Sequence, residues 1–134
     1  MSLPEKIVYD LLTKNQQVVN LLNDIRGEPT DFPYVFIGQP NDTFTTFENA
    51  PWIRITLISD DTAVYADDNR LMQKYRVQID FWIEKTDLPN LEKLENLIYD
   101  ILHSAGIERY YRNHEEDADI DRLEMIQGNF EGFI

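Results

Sequence analysis

The sequence predicts an α+β domain: an antiparallel or mixed β-sheet of about four to five strands, with N-terminal helices and one long helix packed on it. Three observations predict it. Arg70 to Glu84, RLMQKYRVQIDFWIE, alternates with period two. Leu71, Gln73, Tyr75, Val77, Ile79, Phe81 and Ile83 share one face, while Met72, Lys74, Arg76, Gln78, Asp80, Trp82 and Glu84 share the other. A long half-buried strand in mid-sheet produces this pattern. Directly after it, Leu91, Leu94, Leu97, Ile98, Ile101, Leu102 and Ala105 recur at helical spacing. Short β-branched and aromatic runs occupy much of the remaining chain, behind an N-terminal helical stripe.

In chain order, Ser2-Leu3-Pro4-Glu5 has the form of a capping box, with Pro4 in the tolerated first turn. Ile7, Val8, Leu11 and Leu12 then form one apolar stripe, predicting a helix over about residues 3–14. Asn15-Gln16-Gln17 interrupts the stripe, and Val18, Val19 and Leu22 resume it in a second or bent helix to about residue 23, closed by Gly27 and Pro29. FPYVFIG, residues 32–38, reads as a first strand with Pro33 at or outside its start. Residues 39–51 are polar and read as a long loop or arm, with Phe44 and Phe47 as its anchors. WIRITLIS, residues 52–59, is a second strand with Ile53, Ile55 and Leu57 toward the core. DDTAVYADDN, residues 60–69, reads as an acidic connection into the long strand.

Beyond the long strand, Asp87 is placed to cap a helix with Pro89 in its first turn, and Gly106 is a good stop. Residues 107–112 and 123–133 read as a closing strand pair around an acidic hairpin loop, residues 113–121. At 134 residues the chain reads as a single domain.

Composition excludes several classes of function. With no cysteine, thiolate metal sites, disulfides and cysteine nucleophiles are ruled out, an absence that fits a reducing cytosol. No signal-peptide pattern opens the chain, and no uncharged apolar run approaches the ~18 residues of a membrane span. Twelve Lys and Arg against 25 Asp and Glu leave a net charge of −13. Such a surface repels phosphate backbones and anionic lipid, so neither nucleic-acid nor membrane binding is expected. Solubility accounts for the charge; a sharper reading is a protein that stands near DNA without holding it.

No chemistry-bearing motif emerges. Asp117-x-Asp119-x-Asp121 opens like a calcium loop, but Arg122 stands where the loop needs glycine and Gly128 where it needs a bidentate glutamate. His103 and His114 lack zinc spacing, and His103 suits the C-terminal dipole of its helix. There is no GxSxG, and five glycines form no phosphate loop or dinucleotide fingerprint. The expectation is therefore no catalytic residue, no metal and no cofactor. The outer face of the long strand, with Arg76 and Trp82, joins Phe44 and Phe47 as a candidate subunit contact.

The whole layout resembles the small tail-component proteins of long-tailed bacteriophages, of the tail-terminator and tail-completion (head–tail joining) type. The resemblance rests on MSLPEKIVYDLL, a polar insertion, WIRITLIS, then QKYRVQIDFWIEKTDLPNLEKLENLIYDIL and a closing strand pair. It implies a non-enzymatic virion assembly protein with helices on a sheet. It also implies a homo-oligomer, a hexameric ring that caps the tail tube and contacts the head connector. Such a protein resides in the host cytoplasm during assembly and then in the virion tail. DNA passes through such a ring, so Asp60, Asp61, Asp67 and Asp68, or Glu115, Glu116, Asp117, Asp119 and Asp121, become candidate lumen residues. The alternative is a small cytosolic adaptor or inhibitor that offers an acidic surface to a basic partner.

Overall fold

The computed structural model describes residues 3–66 and 69–133, and for 59–66 and 69–73 the backbone alone. It contains α1 (Pro4–Thr13), α2 (Gln16–Arg26), β1 (Val35–Ile37), a 3-10 turn (Phe47–Asn49), β2 (Trp52–Ala66), β3 (Asn69–Glu84), α3 (Leu88–Ser104), β4 (Glu108–Glu116) and β5 (Leu123–Phe133). The five strands form one mixed sheet in the order β1-β2-β3-β5-β4, with the long strand in the middle. β1 runs parallel to β2, and the other pairs are antiparallel.

Asn15 separates the first two helices. Its backbone is extended, and its side-chain oxygen accepts hydrogen bonds from the Gln17 and Val18 amides. α2 runs on to Arg26, three residues past the expected end, until Gly27 takes the left-handed conformation at φ +86. At the N-terminus Leu3 is the cap and makes no side-chain bond; Ser2, half of the expected capping box, lies outside the described residues. Asp87 does stand at the cap of α3, yet its carboxylate makes no capping bond and accepts from the Asn90 side chain instead.

β1 is shorter than the expected strand because Pro33 lacks an amide hydrogen and Tyr34 sits at φ 59. β2 and β3 are longer than expected. They pair as far as Ala66 and Asn69, so most of the expected acidic connection is strand. β4 likewise runs on to Glu116, leaving a tighter turn before β5 than the acidic loop foreseen.

All three helices pack on one face of the sheet. Val8, Leu12, Val18, Leu22, Leu91, Leu94, Ile98 and Leu102 meet Val35, Ile53, Ile55, Val77, Ile79, Phe81 and Ile83 there. Leu57 shares the strand parity of Ile53 and Ile55, but it is 44% exposed. β1 ends opposite Ile55, so β2 has lost its outer neighbour there.

β3 meets β5 closely at Gly132, where an added Cβ would lie 2.8 Å from the Tyr75 hydroxyl and 2.9 Å from Cζ of its ring. Gly132→Ala is therefore expected to displace a buried ring and destabilise the fold by about 1–3 kcal/mol, read from the urea midpoint. Burial raises the Tyr75 pKa above its ordinary value. Its folded pKa thus lies above the unfolded value of about 10, and this contribution to stability is intact below that pH and declines as pH rises through the folded pKa. Tyr75→Phe should flatten that alkaline decline.

Candidate functional site: the outer face of the sheet

The face away from the helices carries Trp52, Arg54 and Thr56 of β2 and Arg76, Gln78, Asp80 and Trp82 of β3, and it divides into two parts. At one end a second apolar cluster forms around Trp52, Trp82 and Leu123. Trp52 and Trp82 are directly opposed across the β2–β3 ladder, so their rings stack at 5.1 Å between centroids and 17° between planes. The 39–51 segment folds back as their roof. Phe44 meets Trp52, Tyr34 and Phe36 edge-on at 5.7, 4.8 and 4.8 Å, and Asn49 donates to the Phe44 carbonyl at 2.6 Å. The β4–β5 turn closes the other side. Arg122, at φ 67, holds its guanidinium 3.7 Å from the centroid of Phe47, while Asp117 accepts from the Trp82 indole at 2.7 Å. The same Asp117 also accepts from the Asp119 and Ile120 amides. The Trp52 indole nitrogen is buried without a hydrogen-bond partner.

Beside the tryptophans lies Asp80, fully buried and the only buried charged side chain among the described residues. Arg54, its partner across the ladder, donates to Oδ2 from Nη2 at 2.5 Å and from Nε at 3.1 Å. Gln78 donates to both carboxylate oxygens, at 3.2 and 3.1 Å. Arg54 also lies 4.9 Å over the Trp82 ring and reaches the Gln39 side chain at the start of the arm. One guanidinium therefore ties the sheet, the second apolar cluster and the arm together. A groove of about 440 Å³ opens beside this cluster, lined by Asp42, Arg54, Trp82, Asp117 and Asp119 among others. Of its charged lining residues, Arg54 and Asp117 already have internal partners. Among the described residues no group of three or more His, Asp or Glu side chains is arranged to hold a metal ion.

The structure divides the expected contact set. Trp82 is 6% exposed and packs with Phe44 and Phe47 inside the chain. Arg76 lies six residues up β3, roughly 20 Å away. There it bonds Glu131 at 3.3 Å and stands over the ring of Tyr110 at 5.2 Å, in the uncovered part of the outer face. Lys74 joins the same Glu131 at 3.3 Å. Exposed Tyr110, Tyr111 and Phe133 surround this row.

The acidic residues are divided as well. Glu115, Glu116, Asp119 and Asp121 sit exposed at the Leu123 end of β5, where Asp117 is committed to the indole and the turn. Asp60 and Asp61 belong to β2 between the levels of Glu131 and Phe133, roughly 30 Å along the sheet. Asp67 and Asp68 lie outside the described residues. The two acidic groups are therefore not one patch. His103 holds the last turn of α3, pairs with Glu108 at 2.7 Å and stacks on Tyr99.

Sequence reasoning missed the Arg54–Asp80 pair. The available signal was a pair of opposite charges on neighbouring strands, but their register could not be read before the hairpin length was known.

Neither a protein-family model nor a curated protein sequence matches the chain. Among solved structures, the fold is similar to a chain of the "Virion of native gene transfer agent (GTA) particle". The TM-score is 0.64, the identity 11%, and the match covers 97% of this chain and 92% of the other. At that identity the likeness concerns the fold.

Proposed function

We propose that this chain is a structural virion protein of the tail-terminator or tail-completion kind. It acts without catalysis, capping the tail tube as a hexameric ring and joining it to the head connector. The observation that carries the reading is the fold likeness to a virion chain, which extends over nearly the full length of both proteins. Two features add support. On the outer face the buried Asp80 and the Trp82 indole hold sheet, arm and turn together, and no described group of His, Asp and Glu is arranged to hold a metal ion. The net charge of −13 suits a channel wall past which DNA must slide.

A closed ring uses two different patches on each subunit. The row around Arg76, Tyr110, Tyr111 and Phe133 is the uncovered patch best suited to be one of them, being rich in arginine and aromatics. Purified protein is expected to form particles of about six subunits in light scattering, with a central hole in negative stain. A mass that stays monomeric at every concentration overturns the ring and favours an acidic adaptor. Charge reversal at Glu115, Glu116, Asp119 and Asp121 to lysine should convert a ring indifferent to DNA into one that retains it at low salt and releases it at high salt. Unchanged indifference would remove those four from the lumen.

A further inference from the structure

The arm over the tryptophans is hydrogen-bonded to itself. The Phe44 and Thr45 amides donate to the Asn41 carbonyl at 2.9 and 3.3 Å, and the Thr46 amide donates to the Phe44 carbonyl at 2.7 Å. The Asn49 amide donates to the Thr46 carbonyl at 3.1 Å, and the Ala50 amide to the Phe47 carbonyl at 3.2 Å. The Asn41 side chain accepts from the Thr43 amide, and the Asn49 side chain donates to the Phe44 carbonyl. Among the described residues no hydrogen bond or ion pair joins 41–50 to the rest of the chain. Rings hold it instead: Phe44 against Tyr34, Phe36 and Trp52, and Phe47 under Arg122, both phenylalanines half-buried.

The flanks of this segment are pinned. On one side the Gly38 amide donates to the Ile55 carbonyl at 2.8 Å, and Gln39 accepts from Arg54. On the other, the Pro51 carbonyl accepts from Arg26 Nη2 at 2.7 Å, and the same guanidinium stands 4.2 Å over the Tyr34 ring. Beneath the arm Trp52 is fully buried, and its indole N–H has no partner. Closure therefore carries a desolvation cost that access to water would relieve.

We infer that residues 41–50 form a strap that lifts from the outer face as one unit between fixed ends at Gln39 and Pro51. Lifting uncovers Trp52 and Trp82 while the helices and the sheet stay folded. It breaks ring contacts but none of the strap's own hydrogen bonds, and it gives the Trp52 N–H a water partner. Such an opening belongs at the low end of the range of local unfolding events. α3 differs, because Leu91, Leu94, Ile98 and Leu102 are buried against the sheet. The inference stands apart from the ring reading.

Both tryptophans of the chain lie in the cluster under the strap. Hydrogen exchange of the Trp52 indole, followed by NMR, thus reads lifting, and the Leu94 and Ile98 amides read the core. At low urea the indole hydrogen is expected to exchange faster than both amides, with little response to urea, while the amide rates rise with it. Phe44→Ala should raise indole exchange relative to those amides by about tenfold or more. Asp42→Cys/Asp119→Cys places one thiol on the strap and one on the β4–β5 turn, at exposed positions lining one groove. In a chain with no other cysteine, bridging the two with a flexible bis-maleimide should slow indole exchange below that of the unbridged variant. If the indole and the amides exchange together with one urea dependence, or if the bridge leaves indole exchange unchanged, the strap is overturned and 41–50 belongs to the cooperative core.

Discussion

Trp82→Ala is expected to cost about 3–5 kcal/mol of folding stability, the range for removing a large aromatic from a packed interior. For a domain whose total stability is typically about 5–15 kcal/mol, that is a large share. The size follows from what the ring holds. Trp82 stacks on Trp52, lies under Arg54, donates to Asp117 and belongs to the cluster that seats Phe44, Phe47 and Met125. Its loss removes the floor of the arm and one anchor of the β4–β5 turn together. Urea unfolding measures the stability change, and limited proteolysis reads the arm: new cleavage between residues 39 and 50 should appear while α3 stays protected. Trp82→Phe keeps the stack but loses the indole donor, so it should fall well short of the alanine effect. An alanine variant as stable and as protease-resistant as wild type would remove Trp82 from this role.

Arg54→Met should be comparably damaging, by about 3–5 kcal/mol, because it leaves the fully buried Asp80 carboxylate without its cation. Gln78 would remain as a neutral donor and offset only part of that loss. The informative comparison is the double variant Arg54→Met/Asp80→Leu, which removes both charges and fills the space with apolar atoms. It is expected to recover most of the lost stability, since a buried pair is often no more stable than well-packed hydrophobic residues. The double-mutant cycle then gives the coupling between the two side chains. If the single and double variants are equally unstable, Arg54 matters through its packing on Trp82 and its hold on Gln39, not through the ion pair.

Element types were legible in the sequence wherever periodicity was long. The 70–84 alternation and the leucine spacing after Asp87 identified the central strand and the main helix, because burying one face leaves a mark every second or every third to fourth residue. Boundaries were less legible. Asp60, Asp61 and the other polar residues of 60–69 read as a connection, yet most of them continue the ladder, because strand pairing depends on the partner's backbone more than on local composition. The pattern 52–58 pointed Leu57 inward by parity, but parity cannot say how far the helices reach. Phe44 and Phe47 were visible as anchors on a polar arm; what they anchor to was not.

Alone, the sequence determined the α+β class, the central position of the long strand, and the absence of cysteine chemistry. It also determined the net charge of −13. These properties are local or additive, so they can be read residue by residue. Only the tertiary structure decided that Trp82 lies under the arm while Arg76 stays at the surface, although both share one face of one strand. It also decided that Asp80 is buried against Arg54, and that Asp60 and Asp61 stand in a strand far from the 115–121 turn. Those outcomes depend on which distant segment folds over which part of the strand. Such coverage is a property of chain return and register, and it leaves no period in the sequence.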